Sequence, residues 1–187
     1  MKNKSNWILI SSMILVAAMT RLLPHPPNFT PIGAMALFAG AALGRNWIKW
    51  ILPIGALFIS DLVLNNTVYA HMNDGFVLFH ESVLWVYASM LAIVAIAPML
   101  IRKLSAGSVL LGSLSASVLF FLGTNFGAWM SMNMYPMTWD GLMTCYAAGV
   151  PFFGYNVLGD LVFSTALFGG FYVISIQYPQ LAYLKKS

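Results

Sequence analysis

Six apolar runs divide the chain, at residues 7–23, 31–43, 47–64, 82–101, 108–130 and 150–176, with polar or proline-bearing breaks between them. A helix needs about 20 mostly apolar residues to cross the roughly 30 Å hydrocarbon core of a bilayer. The runs therefore predict an all-α membrane protein with six transmembrane helices, in a single domain over 1–187. Taken alone, the second run is short enough to be a half-span, and the sixth is long enough to tilt or project.

The polar positions between the runs carry a second pattern. Lys2 and Lys4 precede the first run, and Arg45 and Lys49 separate the second from the third. Arg102 and Lys103 follow the fourth run, and Lys185 and Lys186 follow the sixth. If each run crosses once, all four pairs fall on one side. The opposite side then holds Asp74, Glu81 and Asp140 with His25, His71 and His80, and Arg21 alone departs from the segregation. Lys and Arg mark cytoplasmic loops, so both termini are expected in the cytoplasm. The same pattern argues that the short second run crosses, since otherwise Arg45 and Lys49 would lie outside.

Composition agrees. The chain is 60% hydrophobic and 7% charged, with a mean hydropathy of +0.80. Soluble domains carry roughly 25% charged residues, so most of this surface must face lipid. The formal charge of +4 is spread in pairs between apolar runs, and nucleic acid is not an expected partner. One cysteine, Cys145, leaves no intrachain disulfide and no multi-cysteine metal site. Lys2 and Lys4 ahead of an apolar run also fit a cleavable leader, with Ala17-Ala18 as the cleavage region. A retained first helix is expected, because its removal would break the charge pattern.

The outer connections are the longer ones and carry the candidate chemistry. Prolines in Arg21-Leu-Leu-Pro-His-Pro-Pro-Asn-Phe-Thr prevent helix continuation. The segments 65–81 and 131–149 read as long aromatic loops. Two carboxylates, Asp61 and Asp160, fall inside apolar runs, where an ionised group costs about 2.5–3.5 kcal/mol even on the lenient insertion scale. Such groups face a partner or a water-filled cavity. Arg21, Asp61, Asn125 and Asp160 all map to the outer half of the membrane. Asn156, Asp160 and Ser164 recur every four residues and share one helix face, as do Asn125 and Trp129. An amide beside an aromatic suits a ligand with a polar edge and a flat apolar face. The competing reading is structural: Arg21 neutralises one aspartate, the polar stripes bond between helices, and Trp129 belongs to the interfacial belt.

Ala36, Gly40 and Gly44 recur at four-residue spacing in the second run, which lets helices approach closely in lipid. Their partner is either another helix of this chain or a separate membrane subunit. His71, His80 and Glu81 have no metal-ligand spacing, and they read as solvated loop residues. The chain has no phosphate-binding P-loop, no dinucleotide glycine fingerprint, no H-E-x-x-H and no G-x-S-x-G. No enzymatic step, cofactor or metal is expected. Active uptake would draw its energy from a partner or an ion gradient. A short echo, Ser60-Asp61-Leu62-Val63 against Gly159-Asp160-Leu161-Val162, pairs the third run with the sixth.

Several strings resemble a family of bacterial six-helix membrane proteins, a domain of unknown function. They are Arg21 through Phe38, Ser60-Asp61-Leu62, Thr124-Asn125-Phe126 with Trp129, Tyr135-Pro136, Gly141-Leu142, and Cys145-Tyr146 through Pro151-Phe152-Phe153 to Gly159-Asp160-Leu161. That family is in turn similar to the substrate-binding S components of energy-coupling factor (ECF) transporters. The resemblance implies a multi-pass protein of the bacterial inner membrane with an outward-facing ligand pocket capped by outer loops. It also implies a coupling membrane subunit and two cytoplasmic ATPases as partners, and a vitamin-like micronutrient as substrate. In S components the small-residue face usually lies on the first helix, whereas here it is clearest on the second.

The expected site for the small molecule comprises Arg21, His25, Asn28, Asp61, Asn125, Trp129, Asn156 and Asp160. Arg21 and the aspartates would recognise charge, Asn125 and Asn156 would bond polar edges, and Trp129 would stack. Three other readings stay open. They are an ion-coupled carrier working alone, a membrane enzyme using Asp61 and Asp160 as acid and base, and a scaffold without ligand.

Overall fold

The computed structural model describes residues 2–72 and 75–178, with side chains from Asn6 onward. Asp74, Lys185 and Lys186, which carry part of the charge pattern, lie outside the described residues, as do the side chains of Lys2 and Lys4.

Among the described residues the regular structure is entirely helical. Six helices run α1 Lys2–Met19, α2 Ile32–Ala42, α3 Ile48–Asn66, α4 Val83–Leu100, α5 Ala106–Ser131 and α6 Trp139–Gln177, with single 3-10 turns at Thr20–Leu22 and Ala70–Met72. Four of them, α3 to α6, are long and apolar enough to cross a membrane. The apolar segment Asn6–Leu22 and α2 are shorter. Their outer faces are apolar: Ile8, Ile59, Leu84, Leu111 and Val173 are all exposed, as lipid-facing positions should be.

The helix α2 is the hub. Its eleven residues, all buried, touch each of the other five helices. At 1.5 Å per residue it is about 16 Å long, half a bilayer core. Its composition explains the position. Ala34, Ala36, Ala39, Ala41 and Ala42 let five neighbours close in around a thin rod. Gly40 meets α4 so closely that a Cβ there would lie 2.5 Å from the Val94 carbonyl oxygen and 2.6 Å from the Ala97 Cβ. Phe38 fills the opposite side against Phe168 and Phe171 of α6, edge to face, at 5.1 and 5.8 Å. Of the small-residue series, Ala36 and Gly40 are thus consumed by contacts within the chain. Gly44 lies past the helix and takes the left-handed conformation (φ 57°) that ends it.

The sixth helix begins eleven residues before the apolar run at 150. The segment 131–149, expected as loop, is loop only from Met132 to Thr138. Thr138 is the reason: its hydroxyl accepts the Gly141 N–H at 3.2 Å, a cap that starts a helix in sequence too polar to announce one. Pro151 is tolerated inside this long helix.

Candidate functional site

The Pro-rich segment between α1 and α2 forms one wall of the site. Pro27 and Asn28 are the central residues of a β-turn closed by the Phe29 N–H on the Pro26 carbonyl at 3.1 Å. Asn28 has φ 62°, which Asn tolerates better than most residues, and proline before it pre-sets the turn. The turn is pressed against α6 at Gly159, where a Cβ would sit 2.9 Å from the Thr30 nitrogen.

Each end of this segment is held by one aspartate. At its start, the Arg21 guanidinium Nη1 lies 2.7 Å from Asp61 Oδ1 and also donates to the Ser60 hydroxyl, which in turn donates to the Leu57 carbonyl at 2.8 Å. At its end, Asp160 Oδ1 accepts the Ala34 N–H at 2.9 Å and Oδ2 accepts the Ser117 hydroxyl at 2.7 Å. Asp160 therefore caps α2 from another helix. It satisfies an orphan amide of the first turn of α2. Gly33 makes room for it, since a Cβ there would lie 2.5 Å from the carboxylate.

Between this wall, α3, α4, α5 and α6 lies a cavity of about 390 Å³. Of the eight residues nominated from sequence, Arg21, His25, Asn28, Asp61 and Asn156 line it, joined by Thr30, Tyr69, His80 and Thr124. A smaller cavity of about 210 Å³ adjoins it, lined by Phe121, Asn125, Phe152 and Phe153. The two share Asn28, Phe120, Thr124 and Asn156. Two of the eight do other work. Asp160 is 1% exposed and spends both oxygens on α2 and α5. The Trp129 indole N–H donates to the Pro136 carbonyl at 2.8 Å and its ring packs on Phe126, so it fastens the connection between α5 and α6.

The residue that sequence reasoning set aside is His80. The Asn66 side-chain amide pairs with both backbone groups of Val77, each at 2.8 Å, and Phe79 packs on Phe58 at 5.5 Å. These contacts fold the segment after α3 back over the cavity and bring His80 to its lining. Burial pushes the His80 imidazole below its ordinary pKa, a shift opposed by the Asp61 carboxylate and reinforced by Arg21. His71, by contrast, is exposed, as expected. No periodicity marks the difference between the two. The aromatic flanks of His80 were the only available signal.

The site contains unmet hydrogen-bonding capacity. The buried Arg21 Nε has no hydrogen-bond partner. Asn125 donates to the Phe121 carbonyl of its own helix at 2.8 Å, and Asn156 makes only a long contact of 3.4 Å to the Ser117 carbonyl. Buried polar groups are nearly always paired, so these groups leave hydrogen-bonding capacity that water or a small polar molecule could meet. Among the described residues, no group of three His, Cys, Asp or Glu side chains could hold a metal ion.

No curated protein and no solved structure matches the chain. Over residues 1–181 it matches the family described as "Family of unknown function (DUF6580)", and it belongs to that family.

Proposed function

We propose that the protein is the substrate-binding membrane subunit of an uptake transporter, capturing a small polar molecule in the cavity walled by the Arg21–Asp61 pair. In this reading both termini are cytoplasmic, the cavity opens to the outside, and the short α2 counts as a crossing. The resemblance to S components supplies the transport context, a micronutrient substrate, and a coupling subunit with ATPases as partners. The observation that carries the reading is convergence. Arg21, His25 and Asn28 come from one segment, Asp61 from α3 and Asn156 from α6, three separate stretches of sequence, yet all line one cavity. Its volume falls within the range of small-molecule pockets, and its lining is rich in polar side chains.

The acid–base enzyme reading has less support, because Asp160 is spent on α2 and does not line the cavity beside Asp61. A test compares small molecules extracted from gently purified wild type, the double variant Arg21→Gln/Asp61→Asn, and Asp160→Asn. A compound enriched in wild type, absent from the double variant and retained by Asp160→Asn is the expected result. An empty, folded wild type that also fails a broad thermal-shift screen would refute the proposal.

A further inference from the structure

Resting on that reading, we infer that the ligand is an aromatic zwitterion, with no net charge, whose carboxylate takes Arg21 and whose ammonium takes Asp61. The main cavity holds one full positive and one full negative charge, 2.7 Å apart, each side chain about nine-tenths buried. Both line the cavity, so both are within reach of a ligand there. A net anion bound at the free Arg21 donor would bring a second negative charge beside Asp61 with no cation of its own. A net cation on Asp61 would likewise bring a second positive charge beside Arg21. A buried charge is tolerated only with a partner. A zwitterion brings one charge of each sign, so each of the four charges has an opposite neighbour. The orphaned Arg21 Nε supplies a donor for the carboxylate beyond the one now used on Asp61.

The adjoining cavity specifies the rest of the ligand. Phe121 and Phe153 face it with ring centroids 4.8 Å apart and tilted by 47°, beside Phe152. Rings at such spacing accept a further planar ring in offset or edge contact. Asn28 and Asn156 line both cavities, at the neck between the charged and aromatic compartments. They are placed to bond a polar ring edge.

The test uses the full chain in nanodiscs and matched triads of probes. Each triad has an aromatic amino acid (zwitterion), its methyl ester (cation) and its N-acetyl form (anion), built on phenyl, indole, imidazole and pyrimidine rings. Zwitterions should bind at least ten times more tightly than the other two members of their triad. In Asp61→Asn the preference should move to the N-acetyl form, and in Arg21→Gln to the ester. A purely structural ion pair would not produce that exchange. Should the single variants fail to fold, the charge-free double variant Arg21→Gln/Asp61→Asn should fold and lose the discrimination between triad members. Equal or tighter binding of a singly charged member overturns the inference, as does a screen in which no zwitterion binds. A net-charged compound extracted from the wild type would overturn it while leaving the proposed function standing.

Discussion

Replacing Asp160 separates the helix-capping role assigned to it from a role in ligand recognition. In Asp160→Ala the Ala34 N–H, buried at the start of α2, loses its acceptor. An unsatisfied buried donor costs about 1–3 kcal/mol. Ser117 contributes little, because its hydroxyl can turn to the Ser113 carbonyl, already 3.0 Å away. The result is a destabilisation of about 1–3 kcal/mol, or about 2–12 °C in unfolding temperature for a chain of this size. Asp160→Asn is different. Its carbonyl oxygen can still accept from Ala34, and its NH2 can donate to Ser117, whose own proton then goes to Ser113. Both hydrogen bonds are kept, so its stability should stay close to that of the wild type. Thermal unfolding in nanodiscs measures both variants. Wild-type stability in Asp160→Ala, or equal damage in the two, would refute the capping argument.

Two further outcomes follow from the packing and the cavity. Gly40→Ala should lower stability by about 1–3 kcal/mol, because the new Cβ collides with the α4 backbone. Gly55→Ala on α3, with nothing within 4 Å of the added carbon, should instead stabilise by about 0.5–1 kcal/mol, and equal thermal shifts would refute the packing argument. For His80, the folded-state pKa lies below the unfolded value, so the unfolded chain binds the proton first as pH falls. Stability from this group is present above the ordinary value of about 6.5 and declines below it until the folded-state pKa is reached. His80→Gln should flatten that part of the stability–pH curve, and an unchanged slope would refute the assignment.

The helices long and apolar enough to cross a membrane were legible because continuous apolar runs are a strong pattern: the runs at 47–64, 82–101 and 108–130 coincide with α3, α4 and α5 within a few residues. The start of α6 was not, because capping by Thr138 depends on a single hydroxyl, and residues 139–149 have no continuous apolar character. The shortness of the second run was visible, but not its cause. A helix that is buried on every side needs no lipid-facing stripe and can stop when its neighbours are satisfied. For the site, charged and amide residues inside apolar runs were sound pointers, since each must find a partner in the interior. Sequence spacing could not tell whether that partner was a cavity or another backbone. Hence Asp61 and Asp160 looked alike, and only one of them lines the cavity.

The two aspartates hold the same segment from opposite ends, and their difference follows from what they hold. Ser60-Asp61-Leu62-Val63 echoes Gly159-Asp160-Leu161-Val162, but Asp61 lies near the end of α3 and Asp160 near the middle of α6. Asp160 is met by a backbone amide and a hydroxyl, both uncharged and both on helices packed around it. Asp61 is met by a flexible guanidinium at the edge of a cavity with polar walls. The end of the segment nearest α2 is therefore anchored, and in the proposed function the end nearest α1 is held by a contact that a ligand would compete for. Displacing Arg21 would loosen the wall at its first residue while leaving Phe29 and Thr30 seated against α6 at Gly159. Recognition would then alter the α1 end of the wall without disturbing the helix packed at the centre of the fold.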